Sequence, residues 1–279
     1  MIFNQVADAA AALQNFLITR QPVTLLTGAG LSTDSGIPDY RDAHGQWKRN
    51  PPMQHHEFMG DSELRKRYWG RSLHGWPTLY HAQPNAAHYA IAALQRQGLI
   101  DTIITQNVDG LHQRAGSDRV INLHGYANDM ICMSCCAHSQ RLDMHERCLA
   151  ANPDFKVSRL AEETHVAPDG DADIEVDFSS FVVPECLYCG GILKPDVVYF
   201  GDNVPRPRVE QAQQALRDSN ALLVVGSSLM VFSGFRFARQ ASAENQPIAL
   251  LTRGTTRADQ LASLKLDTDI SATLQALSI

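Results

Sequence analysis

Two Cys-x-x-Cys pairs, Cys132-x-x-Cys135 and Cys186-x-x-Cys189, stand 50 residues apart in a chain of 279 residues, and a fold must bring them together. Four thiolates in two such knuckles close on one tetrahedral Zn²⁺ and leave it no open coordination position, so the metal builds structure and performs no chemistry. Cys136 adjoins Cys135 and competes for the ligand role; the equal spacing of the two pairs favours Cys135, and Cys148 reads as a buried spare. Six cysteines are too few for a disulfide framework in a chain this long, and paired thiols kept for metal point to a reducing compartment. A cytoplasmic location is therefore expected.

Outside the knuckles the chain alternates strands and helices. Strand-sized apolar runs occur at Val23 to Thr27, Thr102 to Gln106, Val120 to His124, Val197 to Phe200, Ala221 to Gly226 and Ile248 to Thr252. Helical stretches lie at Asn85 to Gln97, Arg208 to Arg217 and Gly234 to Glu244, and Val6, Ala10, Leu13 and Leu17 mark an amphipathic N-terminal helix. This pattern predicts an α/β fold, a doubly wound parallel Rossmann-like sheet with ligands at the carboxyl ends of its strands, joined to a second, smaller zinc-binding domain. The expected boundaries are 1–44, 81–128 and 190–279 for the sheet domain, with a helical insertion over 45–80 and a zinc-ribbon module over 129–189 forming the small domain.

Composition removes several functions. A formal net charge of -6 gives no general reason to bind nucleic acid or an anionic membrane, and no apolar run approaches the ~20 residues of a membrane span. The excess acid is local: residues 136–185 hold 11 acidic and 4 basic side chains, and the remainder is close to neutral. Within that stretch Asp169, Asp171, Asp173, Glu175 and Asp177 alternate with small or apolar residues, which predicts an exposed strand with one solvated face. That face could attract basic substrate proteins.

Polar motifs cluster where strands end. Gly28-Ala29-Gly30 has the first two glycines of a dinucleotide fingerprint but Thr33 in place of the third, and no acidic residue follows at the ribose-binding distance. The continuation Ser35-Gly36-Ile37-Pro38-Asp39-Tyr40-Arg41 is a polar loop of functional type. Gln106-Asn107-Val108-Asp109 sets two amides and a carboxylate at one strand end, costly unless they find partners, and so suggests a polar pocket. His124, before a glycine, is a candidate general base, and Gly226-Ser227-Ser228 offers backbone N–H groups and hydroxyls to phosphate or ribose oxygens.

These motifs, together with Leu123-His124-Gly125, the two knuckles and Lys194 to Asp202, occur in an order that closely resembles the sirtuins, the NAD-dependent protein-lysine deacylases. Ala167-Pro168-Asp169-Gly170-Asp171 and Thr256-Arg257-Ala258-Asp259 resemble the class II branch of bacterial type. The resemblance implies NAD as co-substrate, with its pyrophosphate at the Gly28 turn and Ser227, its nicotinamide near Ile37, Asp39, Asn107 and Asp109, and Gln106 on the nicotinamide ribose. The implied cofactor set further includes Ala29, Gly30, Ser32, Pro38, Tyr40, Arg41, Gly226, Ser228, Thr252, Arg253, Gly254 and Ile270. An acyl-lysine protein or peptide would add as a strand between Val197, Phe200 and Gly201 and the loop after Leu229. Its acyl oxygen would attack ribose C1′ as nicotinamide leaves, His124 would accept a ribose hydroxyl proton, and the acyl group would end on ADP-ribose. A monomer without nucleic-acid or membrane partners is expected.

Three positions depart from the family pattern: Thr252 replaces a ribose-binding asparagine, Asn122 replaces an acidic residue, and Tyr40 replaces phenylalanine. Tyr68-x-x-Arg71 has the spacing of sirtuins that accept succinyl or malonyl groups, since an arginine fork suits a carboxylate; the alternative is that Tyr68 only packs. Mono-ADP-ribosyl transfer remains open on the same scaffold. Outside the family the rivals are a hydride-transferring dehydrogenase and a non-enzymatic zinc-ribbon binding module.

Overall fold

Short apolar runs become strands wherever both their faces can be covered, and the chain divides accordingly. The computed structural model describes residues 1–42, 44–48, 52–155, 166–174 and 176–278. Its elements begin with β1 (Ile2–Phe3), α1 (Val6–Arg20), β2 (Val23–Thr27), α2 (His55–Gly60), α3 (Ser62–His81), α4 (Ala86–Arg96) and β3 (Ile100–Thr105). There follow α5 (Leu111–Arg114), β4 (Val120–Asn122), β5 (Gly125–Cys132), β6 (His138–Gln140), α6 (Arg141–Ala151) and β7 (Leu193–Val197). The C-terminal part supplies α7 (Arg206–Arg217), β8 (Ala221–Val225), α8 (Phe232–Ala243), β9 (Ile248–Leu251), β10 (Leu264–Leu266) and α9 (Ile270–Gln275). Two units result: residues 1–49, 83–123 and 204–279, and residues 50–82 and 124–203.

In the first unit a parallel sheet of seven strands among the described residues runs in the order β1-β10-β9-β8-β2-β3-β4. From β2 the chain works outward through β3 and β4, then returns to β8 on the other side. The order therefore reverses between β2 and β8, and the loops leaving their carboxyl ends face a crevice, the usual ligand position of such sheets. All five residues of β2 and of β8 are buried. Leu25, Leu223 and Val225 join one core with Leu13 of α1, Ile91 of α4 and Leu274 of α9. Leu26, Leu222 and Val224 join a second with Leu216 of α7 and Phe237 of α8. Two apolar faces, each contributing ~1.5–3 kcal/mol per buried large side chain, make the sheet doubly wound as expected. No helix is long and apolar enough to cross a membrane among the described residues.

The second unit holds an antiparallel sheet, β6-β5-β7, with α2, α3 and α6. Its core gathers Phe58, Tyr68, Trp69, Met130, Met144, Phe181 and Tyr199. The stretch expected as a parallel strand from Val197 to Phe200 instead starts at the last residue of β7, which pairs antiparallel with β5, and residues 190–203 belong to this unit. An apolar run announces burial without naming its partner strand. Among the described residues of the 45–80 stretch helix begins at His55, Arg41 and Trp47 form a bridge ahead of it, and α6 adds a helix to the module where none was expected.

The acidic alternation does not form the expected exposed strand. Ala167 N donates to Asp171 O at 2.7 Å and Gly170 N to Ala167 O at 2.9 Å, closing a turn, while Val166 bridges Ala172. Asp171 lies 2.9 Å from Arg71 Nε, and Asp173 lies 3.6 Å from Arg71 Nη2. The half-buried Arg71 thus draws Asp171 inward and holds Asp173 at the surface. Burial, with the neighbouring Asp169 charge, pushes the Asp171 carboxyl up to about 7 even though Arg71 pulls the other way. Glu175 lies outside the described residues.

Candidate functional site

The loops after β2 and β8 meet backbone to backbone. Gly28 N donates to Val225 O at 3.1 Å and Gly30 N to Gly226 O at 2.9 Å. A Cβ at Gly28 would sit 2.8 Å from Ser227 Cβ, and one at Gly30 would sit 3.0 Å from Gly226 O. Only glycine permits this approach. Beyond it the chain makes two short 3₁₀ turns, Ala29–Leu31 and Thr33–Ser35, and not the long helix of an ordinary dinucleotide fold. Thr33 in place of the third glycine accords with that difference, since no helix must pack on the strand here.

This close approach gathers the polar residues that end β3. Asn107 Nδ2 donates to Gly28 O and to Ser32 Oγ, each at 3.1 Å. Ser32 Oγ donates to Asp109 Oδ2 at 2.7 Å, and Leu111 N donates to Asp109 Oδ1 at 2.9 Å. Burial pushes the Asp109 carboxyl up, and these donors pull it back. Gln106 Nε2 donates to Ser227 Oγ at 2.7 Å and to Thr27 O at 3.3 Å. Gly28, Ser32, Gln106, Asn107, Asp109 and Ser227 thus form one connected cluster at the point where the strand order reverses.

Other expected cofactor residues stand in separate groups. Ile37 is buried, and its N–H donates to Ser32 O at 3.3 Å. Asp39 is ion-paired with Lys48, Arg41 Nη1 donates to Gly45 O at 2.7 Å with its guanidinium 3.9 Å from the Trp47 ring centre, and Tyr40 meets Trp47 edge to face. Arg41 is thus held in place by its own loop. Thr252, Arg253, Gly254 and Ile270 assemble at the carboxyl ends of β9 and β10: Thr252 N donates to Leu266 O, Gly254 N to Asp267 Oδ1, and Arg253 pairs with Asp269, the cap of α9.

In the second unit Val198 N donates to His124 O at 2.8 Å. Gly125 has φ +91°, and a Cβ there would lie 1.9 Å from Asp196 O, so the residue after His124 must be glycine for β5 to reach β7. Phe200 O accepts from His55 N at 2.9 Å, and Gln54 bridges Phe200. Tyr68 is buried, its ring 5.2 Å from Phe58, 5.4 Å from Trp69 and 5.7 Å from Tyr199. Arg71, the partner expected for an acidic acyl group, is already held by Asp171, Asp173 and Ala172 O. Two carboxylates of the module thus reach the Arg71 guanidinium in this structure, and the Tyr68 ring packs in the core.

The four expected metal ligands, Cys132, Cys135, Cys186 and Cys189, place their Sγ atoms within 4.8 Å of one another. Cys132 and Cys189 stand 3.5 Å apart and Cys135 and Cys186 3.8 Å apart, close to the roughly 3.8 Å edge of a tetrahedron with Zn–S bonds of about 2.3 Å. The donor set fits zinc. Cys136 points elsewhere and is exposed, while Cys148 is buried in α6 with its thiol pushed up to about 11 by burial.

One part of the site was not assigned from sequence. Thr27 Oγ1 lies 2.9 Å from both Thr105 Oγ1 and His112 Nε2, and Asn107 N donates to Thr105 Oγ1 at 3.1 Å. A fully buried chain, His112 to Thr27 to Thr105, therefore reaches the backbone of Asn107. His88 lies beside it, 5.2 Å from His112 ring to ring, with Nδ1 3.0 Å from Asn85 Oδ1. Burial holds both imidazoles neutral, His112 down to about 3 and His88 to about 4. The available signal was a threonine ending each of two apolar runs, followed by a histidine close behind the second.

Comparison with known proteins decides what kind of site this is. A family model described as the Sir2 family matches residues 28–233, which contain all but the C-terminal part of the site. The chain belongs to the Sir2 family. Among its relatives is a Xanthomonas axonopodis pv. citri protein named NAD-dependent protein deacetylase, 51% identical over 266 residues that cover 95% of this chain and 89% of the relative. A Drosophila melanogaster protein named NAD-dependent protein deacylase Sirt4 is 45% identical, covering 94% of this chain and 84% of that one. Among solved structures, a Sir2 with p53 peptide and NAD+ matches with a TM-score of 0.76 at 28% identity, over 95% of each chain. Sir2 proteins thus share the Rossmann-like sheet that this chain shows, and its four-cysteine cluster is consistent with a zinc-binding module.

Two measurements probe this geometry. Zinc analysis of purified protein should give one metal per chain, retained in Cys136→Ser and lost in Cys135→Ser with unfolding of the second unit; loss in both variants would contradict the ligand set. The neutral histidines make stability acid-sensitive. Both folded values lie below the ordinary ~6.5, so the penalty is absent above that pH and grows as pH falls towards 4, by about 1.4 kcal/mol per pH unit for each imidazole. Denaturant titrations between pH 7 and 5 should show His112→Gln losing about half of this share of the slope; an unchanged slope would show that His112 is not buried neutral.

Proposed function

We propose that this protein is an NAD-dependent protein-lysine deacylase that transfers acetyl or other uncharged acyl groups from lysine to ADP-ribose and releases nicotinamide. What carries the reading is the agreement of two things. The polar cluster sits at the sheet's point of reversal, and proteins named NAD-dependent protein deacetylase are half identical to the chain over nearly its whole length. NAD supplies an electrophilic ribose carbon with nicotinamide as leaving group, and zinc braces the small module.

The residues then have distinct tasks. Gly28 and Gly30, whose own N–H groups are engaged by Val225 O and Gly226 O, keep the turn bare of side chains so that the phosphates can approach, and the Ser227 hydroxyl donates to them. Asn107 and Asp109, cross-linked through Ser32, hold a fixed polar wall with Ile37 against the nicotinamide, while Gln106 faces the adjoining ribose. Preorganised groups of this kind do not need to rearrange as charge shifts during bond breaking. Arg41 and Asp39 cover the loop, and Thr252, Arg253, Gly254 and Ile270 receive the adenosine end. His124 takes a proton from a ribose hydroxyl, allowing that oxygen to capture the acyl carbon. Acyl-lysine binds by its backbone along Val197, Phe200 and Gly201, a mode that tolerates varied sequence.

Occupation of Arg71 by Asp171 and Asp173 argues for uncharged acyl groups over succinyl or malonyl. The metal-binding thiols support a cytoplasmic location, and the net charge of -6 supports action on proteins without nucleic acid or membrane.

Incubation with NAD and lysine-acylated peptides tests the reading. Acetyl-lysine peptide should yield equal amounts of deacylated peptide, nicotinamide and O-acetyl-ADP-ribose, with succinyl-lysine at least tenfold slower. His124→Tyr should lose 10²-fold or more of the rate while keeping its melting temperature. Nicotinamide release with ADP-ribose on protein, and no acyl-ADP-ribose, would favour ADP-ribosyl transfer; no nicotinamide at all would remove the enzyme reading.

A further inference from the structure

Helix α8 opens three residues after Leu229, and its first turn lies against the polar cluster: a Cβ at Gly234 would fall 2.5 Å from Gln106 Oε1. The same helix carries an unusual outer face. Phe232, Arg236 and Arg239 follow at i, i+4 and i+7, which places them on one stripe. Phe232 is 48% exposed at the very start of the helix, where a core helix would bury an aromatic ring. Its ring centre lies 5.4 Å from the Arg236 guanidinium and 5.9 Å from that of Arg239. Arg257 stacks 4.4 Å over the neighbouring Phe235 and ties itself to the loop before α8 through Met230 O and Ser228 O.

Charge makes the patch distinctive. Three other arginines of this unit meet carboxylates, Arg119 with Asp101, Arg206 with Glu210 and Arg253 with Asp269, whereas this patch gathers three cations around two aromatic rings. Among the described residues none of Arg236, Arg239 and Arg257 has a carboxylate within ion-pair distance, and Arg236 keeps a buried Nε without a hydrogen-bond partner. Helix α8 itself contains no acidic residue. Stacking on the two phenylalanine rings offsets part of the cost of crowding like charges. An uncompensated cationic and aromatic surface beside a binding site is matched by a partner that brings carboxylates.

We propose that Phe232, Arg236 and Arg239, with Arg257 beside them, form a recognition surface for acidic side chains flanking the acyl-lysine of the protein substrate. The inference rests on the deacylase reading. An acidic polypeptide suits the patch better than nucleic acid, because the whole chain carries a charge of -6 and would repel a phosphate backbone that extends beyond the patch. Attraction across such an exposed surface acts on capture and not on bond breaking, so it should appear in KM and fade as salt shortens its range.

Matched acetyl-lysine peptides with aspartate, asparagine or lysine at the flanking positions test this. The aspartate peptide should have a KM about three- to tenfold below the asparagine peptide at low salt, converging with it at 0.5 M salt. Arg239→Glu, at an exposed position, should erase or reverse that order with kcat and the KM for NAD unchanged, and Arg236→Gln should reduce it. Equal KM values for all three peptides in the parent protein would overturn the proposal while leaving the deacylase reading intact; turnover of none of them would overturn that reading first. Inhibition by single-stranded DNA that is lost in Arg239→Glu, with no peptide preference, would assign the patch to nucleic acid and also overturn the proposal.

Discussion

The contact between Gly30 and Gly226 is the constraint on which the rest of the site depends. A hydrogen bond of 2.9 Å between their backbones, with no side chain on either residue, brings the loops from β2 and β8 close enough for their polar groups to share partners. Ser32 then reaches Asp109, Asn107 reaches both Gly28 and Ser32, and Gln106 reaches Ser227. Separate the loops by an ångström and several buried donors and acceptors lose partners together, each at a cost of ~1–3 kcal/mol. The sheet provides the rest: reversal of strand order between β2 and β8 leaves open the crevice that these loops line.

Behind the cluster runs a second layer that holds it in register. His112, Thr27 and Thr105 connect the base of the β3 loop to the end of β2 through buried bonds, and they end on the backbone of Asn107. Neutral imidazole suits this position, since a proton gained there would place an unpaired charge in the core. The small unit depends on different forces. Four thiolates gather the knuckles, and Arg71 draws Asp171 and Asp173 against α3, so the module is braced by a metal and an internal ion cluster in addition to its aromatic core.

How much of this was legible follows from what each signal reports. The central strands β2, β3, β8 and β9 are buried on both faces and read as continuous apolar runs, so their place in a parallel sheet could be inferred. β1 and β10, at two and three residues, are too short to leave a pattern. β7 shows the limit of apolar runs, because membership of one sheet or another is a tertiary fact. Alternating acids between residues 169 and 177 gave a strand pattern that a distant arginine overrode. At the site, Gln106, Asn107, Asp109 and Ser227 were legible as polar groups at strand ends. Thr27, Thr105 and His88 were not, since a threonine in a strand and a histidine in a helix look the same whether they pack or connect.

If the glycine contact builds the NAD site, calorimetric titration of NAD into Gly30→Ala measures it directly. A methyl group there meets Gly226 O at 3.0 Å and must push the loops apart. Affinity for NAD should fall at least tenfold, with the zinc content and the unfolding midpoint of the second unit unchanged. An NAD dissociation constant equal to that of the parent protein would contradict the account, because the cluster would then not be where NAD binds.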